Sequence, residues 1–426
     1  MTRRKKLCTI VLALAASTIA FSQATFTLGG DLSMLPQYES VKTPYYNTKG
    51  RKISNLLTYL RDDAKLNAVR VRLFVTPDAG QAQEGVVQDL AYVQALGKRV
   101  KDAGMSLQLD LHYSDTWADP SNQAVPATWY TGTLSRSNPG NATLQDSVYA
   151  YTKRCLEYLS QNGATPDFVQ IGNEVSYGML WRTAADRCYS SSAPSVWLRF
   201  TNLLTAAAKA VREVTPQARI ILHTERSGDA GAAKSFYQKM EANGVDYDII
   251  GLSYYPFWHG YLPALAATLN TLETEFPSKS VHIVETAYYY QSFPTTDEGI
   301  SFVTTDTWPA TAEGQQAFIE DLCSELARHK NVTGLYYWFP EENGSGGASY
   351  SEANMVLRTW QNRGLWNNST HKLNPGLLKL QNFITEKEAA NVDPEPEKPL
   401  RGDIDGDGNL TVSDITMLIN IYLGQN

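Results

Sequence analysis

The sequence predicts an α/β fold, a (β/α)8 TIM barrel with enlarged βα loops, and three observations carry that expectation. Eight short, β-prone apolar runs alternate with longer stretches of helical periodicity between Phe26 and about Lys379, the pattern of repeated strand–helix units that builds a parallel sheet. This region spans roughly 355 residues, more than a typical barrel needs, so the excess belongs in the connecting loops. The first run ends in Leu28-Gly29-Gly30-Asp31 and lacks the full glycine pattern with which an open, dinucleotide-binding sheet begins.

The predicted strands, in order, are Phe26–Asp31, Ala68–Val75, Met105–His112, Phe168–Ile171, Arg219–His223, Ile249–Ser253, His282–Glu285 and Gly334–Trp338. Each is a short, mostly apolar and β-prone run. Helical periodicity fills the gaps at Gly50–Lys65, Val87–Ala103, Ser147–Gln161, Val196–Val214, Ala233–Ala242, Leu262–Glu275 and Glu313–His329. Polar residues close the strands: Asp31, Arg70 and Arg72, His112, Asn173-Glu174, His223, Tyr254-Tyr255, Glu285 and Trp338. In a barrel these ends converge on one face, where the βα loops form a pocket.

Outside the barrel the composition changes. Residues 1–24 read as an export signal: Arg3, Arg4, Lys5 and Lys6 precede the apolar run Leu7–Ala20, with cleavage after residue 20 or 24. No later segment is apolar long enough to span a bilayer, so the mature chain is expected to be exported, as a periplasmic, secreted or surface-associated protein. Catalytic residues 25–385 are followed by a Pro-rich charged linker at 386–401 and a small element at 402–426. Cys155, Cys188 and Cys323 are too few and too widely spaced for a disulfide framework or a zinc site. With 37 basic against 44 acidic residues the chain lacks the basic footprint of a nucleic-acid partner. Its 24 Tyr, 13 Phe and 9 Trp suit the apolar faces of sugar rings as well as a core. A monomer is expected.

Glu174 and Glu285 end the fourth and seventh strands, and a pair of carboxyl groups is what glycosidic bond cleavage requires. One protonates the leaving oxygen and the other attacks the anomeric carbon; in retaining enzymes they stand about 5–5.5 Å apart. Asn173 is placed to bond the 2-hydroxyl beside the scissile linkage, Tyr254 to donate to the nucleophilic carboxylate, and Arg72, with Arg70 as the alternate, to hold it ionised. Glu174 is then the acid, kept protonated by burial or by repulsion from Glu285.

The run Asp110-Leu-His-Tyr-Ser-Asp115-Thr-Trp-Ala-Asp-Pro120 resembles the third-strand signature of family 53 glycoside hydrolases. So do Val69-Arg-Val-Arg-Leu73, Gln170-Ile-Gly-Asn-Glu-Val175, Gly251-Leu-Ser-Tyr-Tyr-Pro-Phe-Trp-His259, Val284-Glu-Thr-Ala287 and Tyr336-Tyr-Trp338, all in the family's order. The resemblance implies a clan A barrel and a retaining endo-β-1,4-galactanase acting on the β-1,4-galactan of pectin side chains and type I arabinogalactan. It implies Glu174 as acid/base and Glu285 as nucleophile, needing no catalytic cofactor, and a sugar-binding surface drawn from Asp31, Arg72, His112, Asp115, Trp117, Asn173, Tyr254, His259 and Trp338. Another clan A glycanase, a mannanase or xylanase, and an inert sugar-binding barrel are the alternatives. The chain departs from the family after the eighth strand, where Trp338-Phe-Pro-Glu341-Glu-Asn343 replaces the usual Glu-Pro-Ala-Trp continuation.

Near the C-terminus, Asp403, Asp405, Asp407, Thr411 and Asp414 occupy positions 1, 3, 5, 9 and 12 of a calcium loop, with Gly408 at the turn and the Asn409 carbonyl at position 7. Clustered carboxylates repel one another without a cation. The loop and the apolar run after it resemble one repeat of a type I dockerin, whose partner here is not specified by the sequence. Some bacterial relatives also hold calcium in the seventh and eighth barrel loops, and a second calcium in this chain's loops stays open.

Overall fold

In a computed structural model that describes residues 26–138, 141–291, 307–344, 356–358, 360–390, 402, 404 and 411–425, the eight strands form a closed, all-parallel barrel. They are β1 (Thr27–Asp31), β2 (Ala68–Leu73), β3 (Ser106–Leu111), β4 (Phe168–Ile171), β5 (Arg219–Thr224), β6 (Ile249–Ser253), β7 (Ser280–Glu285) and β8 (Val332–Trp338). Each pairs with its sequence neighbours, and β8 closes on β1 with Asp31 opposite Trp338.

Alternation along each strand sorts the side chains. Val69, Val71, Leu107, Leu109, Ile220, Leu222, Ile283 and Leu335 join the main apolar core against the helices. Phe168, Ile221, Ile249 and Val284 form a separate small cluster. Arg70, Arg72, Gln108, Asp110, Gln170 and His223, at the alternate positions, are buried polar groups. Glycines make room for rings in this interior: a Cβ on Gly29 would lie 2.4 Å from the Tyr336 ring, and one on Gly334 2.4 Å from the His282 ring.

The helices start where their caps dictate. The stretch expected at Gly50–Lys65 is helical only over Leu56–Asp62, because the Asn55 side chain accepts from Thr58 N–H and begins the helix there. Asp89 likewise caps Leu90–Asp102, three residues later than the periodicity suggests. The residues assigned to the start of the linker are helical instead: Asn382–Ala390 is a helix that buries Phe383 and Lys387, and the Lys387 ammonium donates to the His329 carbonyl.

Cys155, Cys188 and Cys323 are buried free thiols, and burial pushes the Cys155 and Cys188 thiols up to about 12. Among the described residues no helix is long and apolar enough to cross a membrane. The export signal, residues 292–306, and Asp403, Asp405, Asp407 and Asn409 lie outside the described residues. Of the predicted calcium loop, Thr411 and Asp414 are described, and they form a capping box on the helix Val412–Tyr422. Asp414 also accepts the Ile404 N–H at 2.7 Å.

Candidate active site

Glu174 leaves β4 on a turn with φ of 47°, a left-handed conformation uncommon for a residue with a Cβ, and it opens the short turn Val175–Tyr177. That turn is held from β5 and β6. His223 Nδ1 accepts the Glu174 N–H at 3.3 Å, His223 Nε2 meets Ser253 Oγ at 2.9 Å, and Ser253 Oγ donates to Glu174 Oε1 at 2.6 Å. Burial holds His223 well below the ordinary imidazole range, so a neutral ring accepts on one side and donates to Ser253 on the other. Ser253 reaches the carboxylate at an irregularity in the β6–β7 pairing, where the register shifts after Leu252 and brings Ser253 opposite Glu285.

Glu285, at the end of β7, is 7% exposed. Arg70 Nη2 lies 2.8 Å from its Oε1 and the Tyr255 hydroxyl donates to Oε2 at 3.0 Å. Arg70 is fully buried and also bonds Asp31 and Asp110, each at 2.8 Å, and Asn173 Oδ1 at 2.9 Å. Burial raises the proton affinity of both glutamates. The other influences separate them. The negative charges of Glu285 and Glu225 push Glu174 further up, whereas Arg70 and the Tyr255 hydroxyl draw Glu285 back. Of the pair, Glu174 is thus pushed further above the ordinary carboxylate range than Glu285.

Both line one cavity of about 490 Å³, together with Trp117, Asp119, Asn173, Glu225, Tyr255, Trp258, His259, Trp338 and Trp360. Trp338 and Trp360 cross at 72° with centroids 4.3 Å apart, and Trp117 and Trp338 lie 6.1 Å apart. Burial holds His259, whose Nδ1 accepts the Tyr255 N–H, down at about 4, so it is neutral near pH 7.

Several expected contacts lie elsewhere. Tyr254 does not meet the nucleophile position: its hydroxyl donates to the Gly260 carbonyl at 3.0 Å and its ring stacks on Phe318. Gly251, Ser253 and Tyr255 share one face of the β6 chain, and Tyr254 points the other way. Arg72 bonds Asp31 at 2.6 Å and lies over Trp117 and Phe339, 4.8 and 4.4 Å from their ring centroids; Arg70 takes the place expected for it. Asp31 is fully buried beneath the cavity, bridging the two arginines. His112 pairs with Asp110 at 3.0 Å and accepts the Ala118 N–H, so it positions the Trp117 loop from below. Asp115 is occupied by the Thr76 and Ala127 N–H groups, at 2.9 and 2.8 Å, and pins that loop. Trp117, Asn173, His259 and Trp338 do line the cavity. Sequence reasoning passed over Ser253, Glu225, Asp119 and Trp360. Ser253 ends the sixth strand and Glu225 follows the fifth, so the logic that singled out Glu285 reaches both; Trp360 has no strand-end position to mark it.

The glycosyl hydrolase family 53 model matches residues 27–378. A probable arabinogalactan endo-β-1,4-galactanase A of Aspergillus terreus is 36% identical over 330 residues, covering 73% of this chain and 84% of that protein. The endo-β-1,4-galactanase of Bacillus subtilis is 30% identical over 349 residues, 80% of this chain and 75% of its own length. The Ignisphaera aggregans GH53 catalytic domain superposes with a TM-score of 0.72 at 28% identity, covering 86% of this chain and 98% of that one. With a closed eight-stranded barrel, two strand-end glutamates in one cavity and a family match across nearly the whole of that barrel, this chain belongs to glycosyl hydrolase family 53.

Proposed function

We propose that this protein is an exported endo-β-1,4-galactanase that cleaves the β-1,4-galactan of pectin side chains and type I arabinogalactan with retention of configuration. The observation that carries the reading is the opposite setting of two carboxyl groups in one cavity, Glu174 among negative charges and Glu285 against Arg70 and Tyr255. The substrate is supported by the galactanase relatives.

The galactan chain lies across Trp338 with the scissile linkage between the two glutamates. Glu285 attacks the anomeric carbon as Glu174 gives its proton to the departing oxygen, forming a glycosyl ester and releasing one half of the chain. Neutralising Glu285 removes the repulsion that kept Glu174 protonated. Glu174 then takes a proton from water, whose oxygen attacks the same carbon and frees Glu285. Throughout, Ser253 and His223 hold Glu174, while Arg70 and Tyr255 orient Glu285 and stabilise it as a leaving carboxylate. We assign the Asn173 side chain, whose Oδ1 accepts from Arg70, to the 2-hydroxyl, where contacts strengthen in the transition state. We further propose that the 403–414 loop binds calcium, through Asp403, Asp405, Asp407, Thr411 and Asp414 with the Asn409 carbonyl.

Glu174→Ala and Glu285→Ala, assayed on galactan and on an activated aryl galactooligosaccharide, test the roles. Glu174→Ala is expected to lose far more activity on galactan than on the aryl substrate, whose leaving group needs no proton; equal, small losses overturn the assignment. Glu285→Ala is expected to abolish turnover of both. A panel of galactan, mannan and xylan tests the substrate, and preferential cleavage of mannan or xylan overturns it.

A further inference from the structure

The polar groups buried in the barrel interior include Gln170, a fully buried β4 residue opposite Asp110 of β3. Its Oε1 accepts from Arg70 Nε at 3.3 Å and from Gln108 Nε2 at 3.2 Å. Its Nε2 donates to Asp110 Oδ1 at 2.7 Å and lies 3.2 Å from the Gly172 carbonyl, 3.1 Å from Asn173 Oδ1 and 3.0 Å from His223 Nδ1. A guanidinium only donates and an ionised carboxylate only accepts. Arg70 and Asp110, themselves an ion pair at 2.8 Å, therefore leave the Gln170 amide a single orientation.

That orientation decides the next one. His223 Nδ1 also lies 3.0 Å from Asn173 Oδ1, to which a proton on Nδ1 would donate. Two donors oppose it: the Gln170 amide, and the Glu174 backbone N–H, which reaches Nδ1 at 3.3 Å and cannot turn round. Asn173 cannot reverse the pattern either, because its Oδ1 accepts from Arg70 at 2.9 Å and its Nδ2 donates to the Ala118 carbonyl at 2.7 Å. The neutral ring therefore carries its proton on Nε2. A Gln170 hydrogen is shared between Asn173 Oδ1 and His223 Nδ1, two acceptors that would otherwise face each other bare. From Nε2 the polarity runs outward: the ring donates to Ser253 Oγ at 2.9 Å, which leaves the Ser253 hydroxyl to donate to Glu174 Oε1 at 2.6 Å.

We propose that Gln170 is a positioning residue for the acid: it sets the His223 tautomer and, through Ser253, keeps a donor on Glu174 Oε1, so that the proton given to the departing oxygen is carried on Oε2. The inference rests on Glu174 as the acid of the galactanase reading. One amide thereby joins Arg70, which holds the nucleophile, to the chain that holds the acid. The other charged and titratable groups acting on Glu174 are Glu285, Glu225 and Asp119, and those acting on His223 are Arg70, Asp110, His112 and His259. A substitution at Gln170 removes none of them.

Gln170→Met keeps the length of the side chain and removes the shared hydrogen. His223 Nδ1 is then expected to take the proton and donate to Asn173, Nε2 to accept from Ser253, and the Ser253 hydroxyl to turn away from Glu174. NMR of the chain labelled at its histidine ring nitrogens reads the tautomer, with the His223 signal identified among the six histidines by its loss in His223→Asn. The proton is expected on Nε2 in the parent and on Nδ1 in Gln170→Met. The second readout is the pH profile of kcat/KM on linear galactan. A donor to the ionised carboxylate lowers its pKa, so losing Ser253 raises that of Glu174; Glu174 acts protonated, and the alkaline limb is expected to move up by about 1 pH unit. Ser253→Ala is expected to move the limb in the same direction while the proton stays on Nε2. A parent ring protonated on Nδ1 overturns the proposal whether or not any variant folds, and so does a folded Gln170→Met enzyme that keeps the parent's tautomer or its alkaline limb. A parent protonated on Nε2 that leaves galactan intact overturns the galactanase reading and not the tautomer.

Discussion

Tyr254 and Tyr255 adjoin in the chain, and their hydroxyls do unrelated work. Tyr255 donates to Glu285 and Tyr254 to the Gly260 carbonyl. A hydrogen bond to a charged group contributes about 1.5–3 kcal/mol. Tyr255→Phe is therefore expected to lower kcat/KM on galactan by roughly 10- to 100-fold, while Tyr254→Phe changes it little. The pH profile carries the sign. Glu285 acts ionised, so activity falls as pH drops through its pKa; removing the Tyr255 donor raises that pKa and moves the acid limb to higher pH. Glu174 acts protonated, so activity falls as pH rises through its own pKa, and that alkaline limb is expected to stay in place in Tyr255→Phe. An acid limb that does not move removes Tyr255 from its proposed part in ionising the nucleophile. The sequence placed a hydroxyl and a guanidinium near Glu285 but chose the wrong member of each pair. The two tyrosines differ only in which face of the chain they occupy, and Arg70 and Arg72 lie on the same face two residues apart, so their separate partners are settled by the depth of neighbouring acids in the barrel.

The strands were legible because each is a short, mostly apolar, β-prone run with polar residues at or just past its end, and the helix starts were less so because periodicity continues past the cap. Asn55 and Asp89 each begin a helix later than the apolar spacing alone suggests. What periodicity cannot show is how the barrel interior is filled. Gly29 lies inside the first predicted strand and Gly334 opens the eighth, and nothing in the sequence marks what each faces: a ring from a neighbouring strand at a distance that admits no Cβ. Gly29→Ala forces the Tyr336 ring, fully buried, against its surroundings. Overpacking of this kind costs about 1–3 kcal/mol, to be read as a lower midpoint in urea denaturation. Because Asp31 ends the same strand and holds Arg70, part of the loss is expected to appear as reduced kcat even under conditions where the variant is fully folded. A midpoint equal to the parent's shows that Tyr336 has room to yield.

At the scale of the molecule, the barrel and the C-terminal segment answer to different physics. The helix Asn382–Ala390 belongs to the barrel: Phe383 is fully buried, with its ring 6.4 Å from that of Phe26 at the start of β1, and Lys387 reaches the His329 carbonyl before β8. The helix Val412–Tyr422 instead exposes Val412, Ile415, Leu418, Ile421 and Tyr422, each by more than half, and its first turn is held by Asp414, the last ligand of the proposed calcium loop. Ending the chain after Ala390 is therefore expected to leave both the melting temperature of the barrel and its galactan activity unchanged. Ending it after Thr385 removes the last helical turn with Lys387, and the barrel is expected to melt lower, by about 1–2 °C for each kcal/mol lost, since the shift is roughly 2–4 °C in domains of 150–250 residues and shrinks as the domain grows. Calcium chelation of the full chain should follow the first pattern, loosening the C-terminal loop to proteolysis while the barrel melts as before. A barrel whose Tm falls on chelation, in the chain ended after Ala390 as well, relocates the calcium dependence from the 403–414 loop to the barrel itself.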